Sequence, residues 1–181
     1  LLVPVSEAIP AGENLEYSEV AELERLATGS PGKLDPETRE MIGVEEPEWR
    51  KVRDAGTAIF AQTKDLRAGV ILVRSLLALK GLPGLGEGMT LLSRMCEQYW
   101  DTAHPMLDAD EGGDPIERLN ALANLDDPEG MIRSLRLTRL VESREAGSYT
   151  VRDLDIAAGR IPVAEGAQSP TTALMEVAWR T

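Results

Sequence analysis

Cys96 and His104 are the residues whose types could supply a nucleophile and its base, and the chain holds one of each. A thiol beside an imidazole can form a reactive ion pair, or His104 could instead pair with Asp101 as an orienting carboxylate. Against this, His104 stands before Pro105 at a helix end. There a histidine commonly satisfies terminal carbonyls and the helix dipole. The structural role is the favoured expectation, and a thiol-dependent enzyme using Cys96 and His104 is the alternative.

Three other groups tempt a chemical reading. Asp108, Asp110 and Asp114 surround Gly112-Gly113 in the manner of a calcium loop. The EF-hand pattern needs Asp or Asn where Gly112 stands and a bidentate Glu where Leu119 stands, so a solvated acidic loop is expected. Gly81, Gly84, Gly86 and Gly88 follow an apolar helix rather than a strand, and no Gly-Lys-Ser/Thr accompanies them. They predict a helix–helix turn, not a phosphate cradle. A histidine–cysteine metal cluster is excluded by the single copy of each residue. No catalytic, cofactor or metal residue is therefore expected. Arg67 and Arg74 lie about two helical turns apart on one face. They read first as ion-pair partners for carboxylates and second as a recognition face for an acidic partner, which makes them the candidate protein-interaction residues.

The elements that must position these residues are helical. Residues 1–17 form an extended lead-in. Ser18 can cap a first helix with Val20, Leu23, Leu26 and Ala27 inward and Gly29 as its stop. Pro31, Gly32, Pro36 and Gly43 make 29–45 a loop. Pro47 opens a second helix whose inward stripe is Trp49, Val52, Ala55, Ile59 and Phe60. Asp65 caps a third, central helix, apolar around most of its circumference, which Gly81 ends and Pro83 cannot continue. The fourth carries Leu85, Met89, Leu92, Met95, Cys96 and Tyr99.

Beyond the acidic loop, Asp114-Pro115 starts a helix with Ile116, Leu119, Leu122 and Ala123 as its stripe. Asp127-Pro128 starts another, to about Leu135. Residues 140–151 allow a small hairpin, Thr150 can cap a short helix to Ala158, and Ser169-Pro170 can start a last one. Trp49 and Trp100 are expected as core anchors, with Trp179 unassigned. The expectation is an all-α fold, a multi-helix bundle of about six to eight helices with room for one small β-hairpin near 139–152. It is read as a single domain over 1–181, with a helical core over 18–137 and an appendage over 138–181.

Composition narrows the function classes. The net charge of −12 opposes nucleic-acid binding and adhesion to anionic lipid. Aromatic residues are 4% of the chain, so aliphatic side chains must fill the interior, which suits helix packing. One cysteine permits no internal disulfide and fits a reducing compartment. The apolar run Ala68 to Leu79 is interrupted by Arg74 and is too short to span a membrane. Leu1 and Leu2 lack a charged leader, so no signal peptide is expected.

Several blocks, in order, give the chain a resemblance. They are Leu1-Leu2-Val3-Pro4-Val5-Ser6, Pro10-Ala11-Gly12-Glu13-Asn14-Leu15-Glu16-Tyr17, Glu46-Pro47-Glu48-Trp49-Arg50-Lys51-Val52 and Thr63-Lys64-Asp65-Leu66-Arg67. Gly81-Leu82-Pro83-Gly84-Leu85, Tyr99-Trp100-Asp101-Thr102-Ala103-His104-Pro105 and Asp114-Pro115 through Arg118-Leu119-Asn120-Ala121-Leu122 continue the series, and 140–154 closes it. Together these resemble the N-terminal domain of the TssA (ImpA-related) family of type VI secretion systems. The resemblance implies a non-enzymatic, cytoplasmic assembly protein without cofactors, recruited to the inner face of the cytoplasmic membrane without inserting into it. Its implied partners are baseplate, tail tube and sheath, and membrane-complex proteins. The family's oligomeric ring comes from a C-terminal region that this chain does not contain, so a monomer or weak dimer is expected of it.

Overall fold

Leu23 and Ala27 anchor the first helix, α1 (Ala21–Thr28), which buries both. It continues from a π-helical turn, Glu16–Val20, so Ser18 lies inside a turn and donates to the Leu15 carbonyl rather than capping the helix. Gly29 ends α1 with φ 67°. The structure, a computed structural model, describes residues 1–39, 41–144, 147–163 and 171–180. They fall into two compact units, Leu1–Leu125 and Asp126–Thr181. The described residues are mostly helical, with two small antiparallel sheets.

The segment expected as a loop over 29–45 is instead a hairpin. β1 (Ser30–Leu34) pairs antiparallel with β2 (Met41–Glu45), with Lys33 opposite Ile42. Asp35 turns the chain by accepting the backbone N–H groups of Glu37 and Thr38. Gly32 and Gly43 sit within the strands at φ 73° and 70°, so the residues that read as loop punctuation bend a ribbon instead.

α2 (Trp49–Gln62) starts two residues beyond Pro47 and buries Val52, Ile59 and Phe60. Asp65 caps α3 (Leu66–Tyr99) by accepting the Arg67 backbone N–H at 2.8 Å. α3 leaves helical geometry at Gly81, with φ 66° and ψ −147°, a conformation favouring glycine. The expected turn between two helices is thus a sharp bend between two arms, and the arms pack closely. A Cβ on Gly88 would lie 2.9 Å from Val73 Cα, and one on Gly69 would lie 2.9 Å from Leu92 Cδ1. Taken over its whole length α3 is long and apolar enough to cross a membrane, but Gly81 divides it into two shorter arms, and half of its most apolar window is buried inside the protein. The bend at Gly81 folds that length into an αα-hairpin whose inner sides make the core: Val70, Leu72, Val73 and Leu77 from one arm, Leu92, Met95 and Tyr99 from the other.

α4 (Ile116–Ala123) reverses its expected stripe. Ile116 and Leu119 are about half exposed, and Arg118 and Ala121 are the buried pair. The physical reason is hydrogen bonding: loop carbonyls are available to Arg118, as described below.

In the second unit, Asp127 accepts the Glu129 N–H and opens a π-turn, Pro128–Ile132, which leads into α5 (Arg133–Leu137). β3 (Arg139–Ser143) pairs antiparallel with β4 (Gly147–Thr150), where a hairpin was expected. α6 (Val151–Ala157) starts in a full capping box between Thr150 and Asp153. α7 (Thr172–Arg180) follows, and the expected starting residues Ser169-Pro170 lie outside the described residues.

Candidate functional site

Three separate stretches meet where the sequence placed its candidate chemistry. The lead-in bridges the α2–α3 junction at Gly12 and Thr63, and Asp65 bridges His104. The Lys64 N–H donates to the Ala11 carbonyl at 2.6 Å, and the His104 N–H donates to the Lys64 carbonyl at 2.9 Å. The Lys64 side chain is buried, donates to the Phe60 carbonyl at 2.6 Å and lies 5.8 Å from that ring's centroid. Burial pushes its ammonium pKa down.

His104 belongs to this knot. It is 6% exposed, and its Nε2 lies 3.1 Å from the Gly12 carbonyl oxygen, so Nε2 carries the hydrogen. The carbonyl it satisfies belongs to the lead-in, not to the helix end that the sequence suggested. Its Nδ1 is buried without a hydrogen-bond partner, so it bonds neither the Cys96 thiol nor the Asp101 carboxylate.

Arg118 is the residue the sequence reading passed over. It is fully buried, and its guanidinium donates to the carbonyls of Trp100, Ala103 and Pro105, at 2.7 Å for the last two. It also lies 5.0 Å from the Trp100 ring centroid. Burial lowers its pKa, opposed by the charges of Asp101 and Cys96. The guanidinium thus ties the 100–105 loop to α4. Trp100 itself is 37% exposed, a lid on the arginine rather than a core anchor. The available signal was an arginine set between the apolar positions of an amphipathic helix.

Cys96 is half-buried on the second arm of α3. Burial raises its thiol pKa, Arg118 opposes the rise and Glu97 adds to it. A raised pKa lowers the thiolate fraction on which nucleophilic catalysis draws. Alkylation by iodoacetamide at pH 8 is therefore expected to run roughly tenfold slower in the folded domain than in the guanidinium-unfolded chain. Equal rates would contradict the burial.

The two candidate arginines share a face as expected and line one small cavity of about 230 Å³ with Val70 and Asn124. Their surroundings differ. Arg67 pairs with Asp65 at 2.7 Å and Glu16 at 2.8 Å. Burial alone would lower its pKa, but hydrogen bonds and charge from Asp65 and Glu16 raise it overall. Arg74 lies 5.7 Å from the Trp49 ring centroid, and among the described residues it makes no ion pair. The ion-pair expectation thus describes Arg67 and not Arg74.

The acidic loop is a local turn, with Asp108 Oδ1 accepting the N–H groups of Asp110 and Glu111. Among the described residues no three His, Cys, Asp or Glu side chains gather in a way that could hold a metal. What this geometry offers is a stapled scaffold with arginine-bearing surfaces.

The comparisons with known proteins agree in direction. The family described as ImpA, N-terminal, type VI secretion system matches residues 2–127, close to the extent of the first unit. Type VI secretion system component TssA1 of Pseudomonas aeruginosa is 39% identical over 171 residues, covering 94% of this chain and 49% of that protein. The chain thus spans about half the length of this curated relative. The solved N-terminal domain of the TssA component of the type VI secretion system from Burkholderia cenocepacia, which includes the conserved ImpA_N region, aligns with a TM-score of 0.71. That structure is 27% identical, over 99% of this chain and 68% of its own.

Proposed function

The chain belongs to the ImpA N-terminal family of type VI secretion systems, and from that premise we propose that it is an assembly domain acting through protein–protein contact and not through catalysis. One observation carries the reading: His104, the base of the candidate thiol pair, bonds a backbone carbonyl through Nε2 and makes no hydrogen bond through Nδ1. The proposed partners are baseplate, tail tube, sheath and membrane-complex proteins. The proposed location is the cytoplasm, with recruitment to the inner face of the membrane, and the proposed state of this domain is a monomer or weak dimer. Of the two candidate arginines, Arg74 is the one left to meet an acidic partner, because Arg67 is held by Asp65 and Glu16.

The experiment presents purified baseplate, tail-tube, sheath and membrane-complex proteins, one at a time, to the immobilised domain. Saturable binding to at least one class is expected. Failure of all of them removes the assembly reading and leaves the fold untouched.

A further inference from the structure

A groove of about 510 Å³ opens between α2 and the two arms of α3. Leu72 and Leu76 from the first arm and Leu91 from the second make its walls apolar. Arg53 and Arg94 also line it, which is notable in a chain of net charge −12. Glu87, the one carboxylate among its described lining residues, meets Lys80 at 2.6 Å in an exposed pair of the weak kind. Among the described residues Arg53 pairs with its neighbour Asp54, again an exposed contact of the weak kind. Among the described residues Arg94 pairs with no carboxylate. Apolar walls bounded by available cations are complementary to an apolar segment that carries negative charge.

The groove also shows what backbone it accepts. Leu1 and Leu2 are among its lining residues, and the Tyr99 hydroxyl donates to the Leu2 carbonyl at 2.8 Å. An irregular chain segment, held at its Leu2 carbonyl by a side-chain hydroxyl, thus already lies beside the apolar walls.

We propose that this groove docks an extended acidic–apolar segment of a partner protein, with leucine-sized side chains against Leu76 and Leu91 and a carboxylate on Arg94 and Arg53. The inference rests on the assembly reading above and names the chemistry of the contact. The recognised unit is short, because a groove of this volume takes only a few side chains.

The test uses overlapping fifteen-residue peptides covering the baseplate, tail-tube, sheath and membrane-complex proteins, probed with the domain and then titrated by fluorescence anisotropy. The bound peptides are expected to combine leucine-type residues with Asp or Glu. Arg94→Glu is expected to weaken them at least tenfold. Thr57→Trp, which fills the groove from α2, is expected to abolish binding, and Arg25→Glu on α1 to leave it unchanged. Thermal melts matching the parent domain establish that the variants fold.

Neutral or basic peptides among the binders, or full binding by both groove variants, overturn the proposal. So does a dimer in sedimentation that Thr57→Trp dissolves, which would make a second copy the occupant. If the whole partner proteins still bind Arg94→Glu and Thr57→Trp normally, the groove is wrong and the assembly reading stands. If they fail to bind even the parent domain, both fall.

Discussion

Arg118→Ala is expected to cost about 4 kcal/mol of stability, enough to unfold a marginal domain. The side chain is fully buried and donates to the carbonyls of Trp100, Ala103 and Pro105. Alanine leaves those acceptors in a void from which the guanidinium had excluded water, and each unsatisfied buried group costs about 1–3 kcal/mol. The void adds a packing loss, because Arg118 also stacks on Trp100. Arg118→Lys should recover little, since one ammonium cannot reproduce a planar fork reaching several separate carbonyls. Urea unfolding followed by circular dichroism reads the effect. At an ordinary slope of ~2 kcal/mol per M, the midpoint falls by about 2 M. A shift of a few tenths of a molar would mean that the 100–105 loop is held by something else.

Gly84→Ala is expected to destabilise the domain by about 3 kcal/mol, in spite of alanine's better helix propensity. Gly84 packs back across the bend at Gly81. A Cβ there would lie 2.1 Å from the Leu76 carbonyl oxygen and 2.8 Å from Lys80 Cβ. The first of these neighbours is backbone, so relief requires the arms of α3 to separate. That separation would loosen the contacts between Gly69 and Leu92 and between Gly88 and Val73. Gly86, in the same arm, provides the matched control, because nothing lies within 4 Å of its Cβ position. Gly86→Ala should therefore stabilise by about 0.5–1 kcal/mol. Opposite signs at positions two residues apart are the signature of close packing. Equal effects at both would refute it.

Both residues show where sequence reading succeeds and where it stops. Several caps and breakers were legible because their physics is local, although the expected Ser18 cap is not formed. Asp65 bonds an N–H two residues on, Thr150 and Asp153 cap each other, and Gly81 with Pro83 breaks the run. The hairpin over 30–45 was not legible, since its glycines and prolines carry the same signals as a loop. The orientation of α4 was hidden for a different reason. Its apolar residues predict an inward stripe, but the carbonyls that make Arg118 the buried member come from a loop more than ten residues earlier. Lys64 is similar: its burial depends on the lead-in crossing the α2–α3 junction.

The candidate site divides along the same line. The ordered motifs made the family legible, and the single cysteine and histidine made catalysis an unfavoured reading. The surface was not legible. Arg67 and Arg74 look alike in sequence, and only the fold gives one a pair of carboxylates and the other an indole ring. Arg53 and Arg94 drew no notice at all, because they come together only when α2 packs on α3.

The central claim is that this domain works by contact rather than by chemistry. Its most direct test is a titration of the immobilised domain with purified baseplate, tail-tube, sheath and membrane-complex proteins, run in parallel on Cys96→Ser. The expected result is saturable binding of at least one of them, with the same affinity in the variant. Absence of binding by all of them, or binding that disappears with the thiol, would contradict it.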